Sequence, residues 1–205
     1  MPRFTCQACG EAFDVPQRSL DRYQGWTPRF CRTHSPKKGK RKPVIEENLT
    51  LAQVLERYDA GPTSGVFTDG SARPNPGPGG WGFVWVEDGE VHAQEHGHEA
   101  ETTNNRMELK ALIEAFRCLP EEAVVTLHTD SRLAVDTIES WAPGWERRGW
   151  KRKGGPIKNL ELVQELLELR RAHPRCRLKW IAAHAGNRWN EYADSLSTAW
   201  SREEL

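Results

Sequence analysis

Apolar and polar positions alternate in two rhythms along this chain, and each change of rhythm marks an element. Leu51, Val54, Leu55 and Tyr58 recur at helical spacing behind Thr50 and Gln53, the pair of a capping box, and Gly61-Pro62 stops the run. This predicts a helix of about two turns, too short to stand alone, so it must dock on something. Val66 to Thr68 reads as a buried strand, Trp81, Phe83 and Trp85 alternate with smaller residues as a second, and the stretch around Val91 to Gly97 supplies a third. Helical spacing returns at Asn105, with Leu109, Leu112, Ile113 and Phe116 on one face. A strand over Ala123 to His128 and a helix from about Ser131 follow. Leu160, Val163, Leu166 and Leu167 mark another helix, Leu178 to Ala182 a fifth strand, and the residues from about Asn187 a last helix. Three neighbouring strands and then alternating helix and strand predict an α/β fold, a mixed five-stranded sheet with helices on both faces.

Composition adds a second, smaller domain. A chain of 205 residues, 37% of them hydrophobic, can bury one ordinary core with some length to spare, and this excludes a disordered protein. Three of the five cysteines (Cys6, Cys9, Cys31) crowd into the N-terminus, an odd and uneven set that does not make a disulfide framework. Residues 35 to 43 have the Pro, Gly and charge of a solvated connector. The expected organisation is a module at 1–34, a basic linker with the short helix at 35–63, and the main domain at 64–205. No apolar run approaches bilayer length and Met1-Pro2-Arg3-Phe4 opens no signal peptide, so a cytoplasmic monomer with no membrane partner is expected.

The formal net charge is zero, which argues against binding nucleic acid by overall attraction. Its distribution is uneven. Lys37, Lys38, Lys40, Arg41 and Lys42 form one basic run, which serves equally well as a solvated linker, and Arg147, Arg148, Lys151, Arg152, Lys153 and Lys158 form another.

Candidate chemistry lies where strands end in acids. Val66-Phe67-Thr68-Asp69-Gly70-Ser71 and Leu127-His128-Thr129-Asp130-Ser131 each deliver a carboxylate to the carboxyl end of a strand, where open α/β sheets build their sites. Taken singly, each acid has a plain structural reading: Asp69-Gly70 as a turn, Asp130-Ser131 as a helix start, and Glu108 as the N3 partner of a cap at Asn105. Taken together they form a pattern. Thr68-Asp69-Gly70-Ser71 with Asn75-Pro76-Gly77-Pro78-Gly79-Gly80, then Thr102-Thr103-Asn104-Asn105-Arg106-Met107-Glu108-Leu109, then Thr129-Asp130-Ser131, then His184-Ala185-Gly186 with Asn190-Glu191 and Asp194, closely resembles type 1 ribonuclease H in order and spacing over residues 64 to 200.

The resemblance implies a ribonuclease H-like sheet and a site of four carboxylates, Asp69, Glu108, Asp130 and Asp194, with His184 on a nearby loop. It implies two Mg²⁺ or Mn²⁺ ions held by those carboxylates, which suit hard cations that prefer oxygen ligands. The implied reaction is hydrolysis of the RNA strand of an RNA–DNA hybrid to 5′-phosphate and 3′-hydroxyl ends. Asp69 would serve both ions, Asp130 the nucleophile side, Glu108 and Asp194 the other, and His184 would move protons or assist product departure. A catalytically silent hybrid-binding protein is the rival reading, which a missing carboxylate would favour; none is missing.

An enzyme that tells RNA from DNA without reading sequence should touch 2′-hydroxyls and sugar edges in the wide minor groove. By resemblance, Gly70, Ser71, Asn75, Asn104 and Asn105 are the candidates for the RNA side. Trp141, Trp145, Arg147, Arg148, Trp150 and Lys151 match the basic protrusion with which bacterial members grip DNA. Arg132 and Glu146 depart from that pattern, standing where Gln and a basic residue are common. His92, His96 and His98 read as polar positions on an edge strand.

In the N-terminal module Cys6-x-x-Cys9 and Cys31-x-x-His34 have the ligand spacing of a zinc ribbon or knuckle, with His34 the least usual ligand. So short a segment would draw most of its stability from Zn²⁺. A redox pair and unrelated thiols are the alternatives. The module's role has two readings: nucleic-acid contact through Arg18, Arg22, Tyr23 and Trp26, or docking of a protein partner.

Overall fold

The computed structural model describes residues 1–22, 27–35, 48–203 and 205. It divides into two compact units, Met1–Glu47 and Asn48–Leu205. The basic run from Lys37 to Lys42, together with Tyr23 and Trp26 and the side chain of Arg22, lies outside the described residues.

In the first unit β1 (Arg3–Thr5) pairs antiparallel with β2 (Ala12–Asp14), and α1 (Gln17–Arg22) follows. Phe4 and Phe13 face each other across the hairpin with ring centroids 6.2 Å apart.

The second unit is built on five strands: β3 (Gly65–Ala72), β4 (Gly77–Glu87), β5 (Glu90–Thr102), β6 (Thr126–Thr129) and β7 (Arg177–Trp180). They lie in the order β5-β4-β3-β6-β7, antiparallel through the first three and parallel from β3 to β7, which is the mixed sheet expected. Helices cover both faces. On one, α3 (Asn104–Cys118) and α6 (Leu160–Ala172) enclose a core of Val66, Phe83, Met107, Leu112, Phe116, Leu127 and Leu166. On the other, α2 (Leu51–Arg57) and α7 (Arg188–Thr198) bury Phe67, Val84 and Val86 beneath Val54, Trp189, Tyr192 and Leu196. The period-2 alternation of β3 thus sends Val66 to one core and Phe67 to the other.

Several bounds differ from those the pattern predicts. β5 runs to Thr102, beyond Gly97, because most of its residues are exposed on the outer edge, many of them Glu and His, and carry little apolar signal. β6 begins at Thr126 rather than Ala123, and β7 ends at Trp180 rather than Ala182. The segment from Ser131 is not one helix: α4 (Arg132–Asp136) passes through a π-helical turn (Thr137–Trp141) into α5 (Ala142–Arg147). Pro143 explains the break, having no N–H to give to the preceding turn. The capping box at Thr50 and Gln53 is formed in both directions, and the docking partner of its helix is α7. No helix among the described residues is long and apolar enough to cross a membrane.

Candidate active site

Asp69 lies in β3 on the face turned to α7, and the next residue, Gly70, is turned to α3. A Cβ at Gly70 would stand 2.2 Å from the backbone N of Glu108, so glycine there lets α3 rest directly on the strand. That contact brings Glu108 beside Asp69. Gly82 does the same on the opposite face: its Cβ would meet Leu196 at 2.4 Å, and its absence lets α7 lie close enough to carry Asp194 to Asp69. Asp130 arrives from the end of β6, next to β3 in the parallel half of the sheet.

Glu108 is not part of a cap. Thr103 caps α3 by accepting from the Arg106 amide, whereas Glu108 accepts from Ser131 Oγ at 2.5 Å. The structure therefore removes the plain reading of that acid.

The electrostatics record the crowding. Burial, then the neighbouring charges of Asp69 and Glu108, push the Asp130 carboxyl up to about 8, against the Asn190 side chain that favours its ionised form. Burial, then Asp69, Glu191 and Asp130, likewise push Asp194 up to about 8. Burial and Asp69 raise Glu108, opposed by its bond from Ser131. Gathering so much negative charge is unfavourable unless a cation or protons relieve it, and an all-carboxylate donor set suits Mg²⁺ or Mn²⁺.

His184 is exposed on the loop before α7 with a left-handed backbone (φ 48°), and its Nδ1 lies 3.7 Å from Glu191 Oε2. His184, Glu191 and Asp194 hold their ligand atoms within 4.8 Å of one another. Two residues join the site without a role read for them in the sequence, one of them inside the motif that ends at Asp194. Glu191, only 7% exposed, stands between His184 and Asp194. Ser197, fully buried, donates from Oγ to Asp69 Oδ2 at 2.7 Å. Asn190, Glu191, Asp194 and Ser197 recur at helical spacing, so the face was readable from Asp194 outward.

The residues expected to meet nucleic acid are spread over one rim and one protrusion. Asn104 Oδ1 accepts from the Ala72 amide at 2.6 Å, the Asn104 amide donates to Asn75 Oδ1 at 3.3 Å, and Asn105 is exposed beside them. Ser71 is half-buried and donates to the Ser197 carbonyl, whereas Gly70 is buried. Trp141, 42% exposed, tilts against Trp145 at 6.0 Å, and both line a cleft of about 290 Å³ that reaches Glu108. Trp145 and Trp150 pack on the core, so Trp141 offers the freest aromatic face. Arg147, Arg148 and Lys151 are exposed. Glu146 is explained by Arg171 of α6, which grips it with two bonds of 2.9 and 2.6 Å and ties the protrusion to the domain. Arg132 stacks its guanidinium 5.4 Å from the Trp180 ring centroid.

In the first unit Cys6, Cys9, Cys31 and His34 bring their ligand atoms within 4.8 Å of one another. Both pairs sit in tight turns, closed by Gly10 N–H to Cys6 O at 2.8 Å and by His34 N–H to Cys31 O at 3.1 Å. The His34 amide, foremost among several hydrogen bonds, holds the Cys31 thiol below its ordinary range.

Comparison with known proteins gives one consistent result. The sequence model of the RNase H family matches residues 62–202. The chain is 49% identical over 137 residues to a ribonuclease H of Chelativorans sp. (strain BNC1), covering 65% of this chain and 82% of that protein. It is 50% identical over 135 residues to a ribonuclease H of Rhizobium meliloti (strain 1021), covering 64% and 86%. Among solved structures, LC9-RNase H1, a type 1 RNase H, superposes with a TM-score of 0.54 at 35% identity, covering 69% of this chain and 74% of that one.

Proposed function

This chain belongs to the ribonuclease H family, and from that premise we propose that Asp69, Glu108, Asp130 and Asp194 hold two Mg²⁺ or Mn²⁺ ions and carry the cleavage. It is a phosphodiester hydrolase that acts on the RNA strand of RNA–DNA hybrids; the products under this proposal are 5′-phosphate and 3′-hydroxyl ends. The observation that supports the metal assignment is the convergence of the four acids from four separate elements, with Asp130 and Asp194 pushed up to about 8. When bound, the ions supply activation of a water and neutralisation of the leaving 3′ oxygen.

The chain's own residues do the rest. Ser197 fixes one oxygen of Asp69, and Ser131 and Asn190 orient Glu108 and Asp130. His184, tethered near Glu191 on an exposed loop, shuttles a proton at the rim of the site. Asn75, Asn104, Asn105 and Ser71 take the RNA side. Trp141, Trp145, Arg147, Arg148 and Lys151 take the DNA strand, with Trp150 bracing them. Zn²⁺ held by Cys6, Cys9, Cys31 and His34 organises the first unit, which adds hybrid affinity or docks a protein; the enzyme works as a cytoplasmic monomer.

The deciding experiment incubates labelled hybrid, double-stranded RNA and double-stranded DNA with and without Mg²⁺. Hybrid-only, Mg²⁺-dependent cutting to 5′-phosphate ends is expected, with Asp69→Asn lowering kcat by about a hundredfold or more. Cleavage that survives this substitution would sink the metal assignment.

A further inference from the structure

Residues 48–61 precede the segment matched by the family, which begins at 62, yet they are bonded to α7 at Arg188 and Ser195 and to Arg202 beyond it. The contacts are specific. Arg188, the first residue of α7, directs its guanidinium to the carbonyls of Tyr58 and, at 3.5 Å, Leu55, while its backbone N–H donates to Ala60 O at 2.9 Å. A cation in the first turn of a helix opposes the helix dipole, so Arg188 is out of place on α7 considered alone. It is well placed for α2, whose terminal carbonyls lack partners within the helix and meet a fixed positive charge. Further along, Ser195 Oγ donates to Leu49 O at 2.7 Å, and Arg202 donates to the same carbonyl and to Asn48 Oδ1 at 2.8 Å. Val54, 1% exposed, completes the contact in the core with Trp189, Tyr192 and Leu196.

These contacts take Arg188, Trp189, Tyr192, Ser195 and Leu196, leaving Asn190, Glu191, Asp194 and Ser197 turned to the acids. A helix that brings a carboxylate into a crowded acidic site is pushed outward by whatever negative charge the site carries until a cation or a proton relieves it. We propose that residues 48–61 form a strap that holds α7 against this repulsion, and that Arg188 is a positioning residue that sets the metal affinity of the site through Asp194. The inference rests on the reading of Asp194 as a metal ligand.

The test uses the full-length chain. Mg²⁺ affinity is measured by calorimetry on metal-free protein, alongside kcat and KM for hybrid, for wild type, Arg188→Ala, Arg188→Lys and Val54→Ala. Arg188→Ala should weaken Mg²⁺ binding by about tenfold, the scale of losing a group that orients a ligand. KM for hybrid should stay unchanged at saturating Mg²⁺. Arg188→Lys should recover part of the loss, since an ammonium still reaches one carbonyl. Val54→Ala, which loosens the strap without touching a polar group of α7, should shift affinity the same way. Wild-type Mg²⁺ affinity in Arg188→Ala and Val54→Ala, whatever their melting temperatures, overturns the strap. An Asp194→Asn variant with full Mg²⁺ affinity and cleavage instead overturns the reading on which it rests.

Discussion

Ser197 is the smallest feature with a direct claim on the chemistry. Its hydroxyl donates to Asp69 Oδ2 at 2.7 Å, and the same Oγ lies 3.0 Å from the backbone carbonyl of Asp194 one turn back, so a buried group of α7 fixes one of the four acids on β3. A neutral donor to a carboxylate favours the ionised form that a cation needs, and such bonds contribute about 1.5–3 kcal/mol when the acceptor is charged. Ser197→Ala should therefore lower kcat about tenfold or more at limiting Mg²⁺ and recover at high Mg²⁺, with KM for hybrid unchanged. Mg²⁺ titration of steady-state rates checks this, and a kcat that is equally low at saturating Mg²⁺ would show that the bond serves the fold and not the ions. A serine three residues beyond an aspartate is unremarkable in a sequence. Its target, Asp69, lies 128 residues away, and only the packing of α7 on β3 brings the two together.

At the scale of elements, β6 shows a cost accepted inside the sheet. His128 is 4% exposed, lies stacked on Phe67 with centroids 4.7 Å apart, and has a buried Nδ1 with no hydrogen-bond partner. Burial first, and then the charge of Lys179, lower its pKa to about 4. In the unfolded chain it titrates near 6.5. The folded protein therefore binds fewer protons than the unfolded one between these values, so this residue's contribution is complete above about pH 6.5 and is lost as pH falls toward 4. Denaturant midpoints for wild type and His128→Leu at pH 7.5 and pH 5 check the sign: the wild type should lose more stability over that interval. The strand was legible in Leu127-His128-Thr129, but its start was not, because Ala123 to Val125, which precede it, could not be separated from it by pattern alone. The π-helical turn was likewise hidden, because hydrophobic spacing cannot distinguish a local change of hydrogen-bond register.

At the scale of the molecule, two units obey different rules of stability. The second has two cores on the two faces of one sheet, whereas the first has a short hairpin, a single turn and a half of helix, and four clustered ligands. Metal should dominate the first and burial the second. One zinc per chain is expected in freshly purified protein, and Cys6→Ser should abolish it while leaving Mg²⁺-dependent cleavage within about twofold of wild type, as independent sites should behave. Zinc retained at full stoichiometry in that variant would remove Cys6 from the ligand set.

Sequence by itself determined the class of fold and, through a resemblance in four ordered motifs, the family, and it marked the candidate ligand sets, because each is written in short local patterns: strand-end acids in a fixed order, Cys and His pairs at turn spacing, apolar residues in periods of two or 3.6. The tertiary structure decided what holds those acids in place. Ser197 and Gly82 carry no mark in the sequence, and Gly70, Glu191 and the short capped helix, which do, show what they touch only through distances between segments far apart in the chain. The physical reason is that identity and period are local properties, while electrostatic crowding and close approach exist only once remote segments share the same few ångströms.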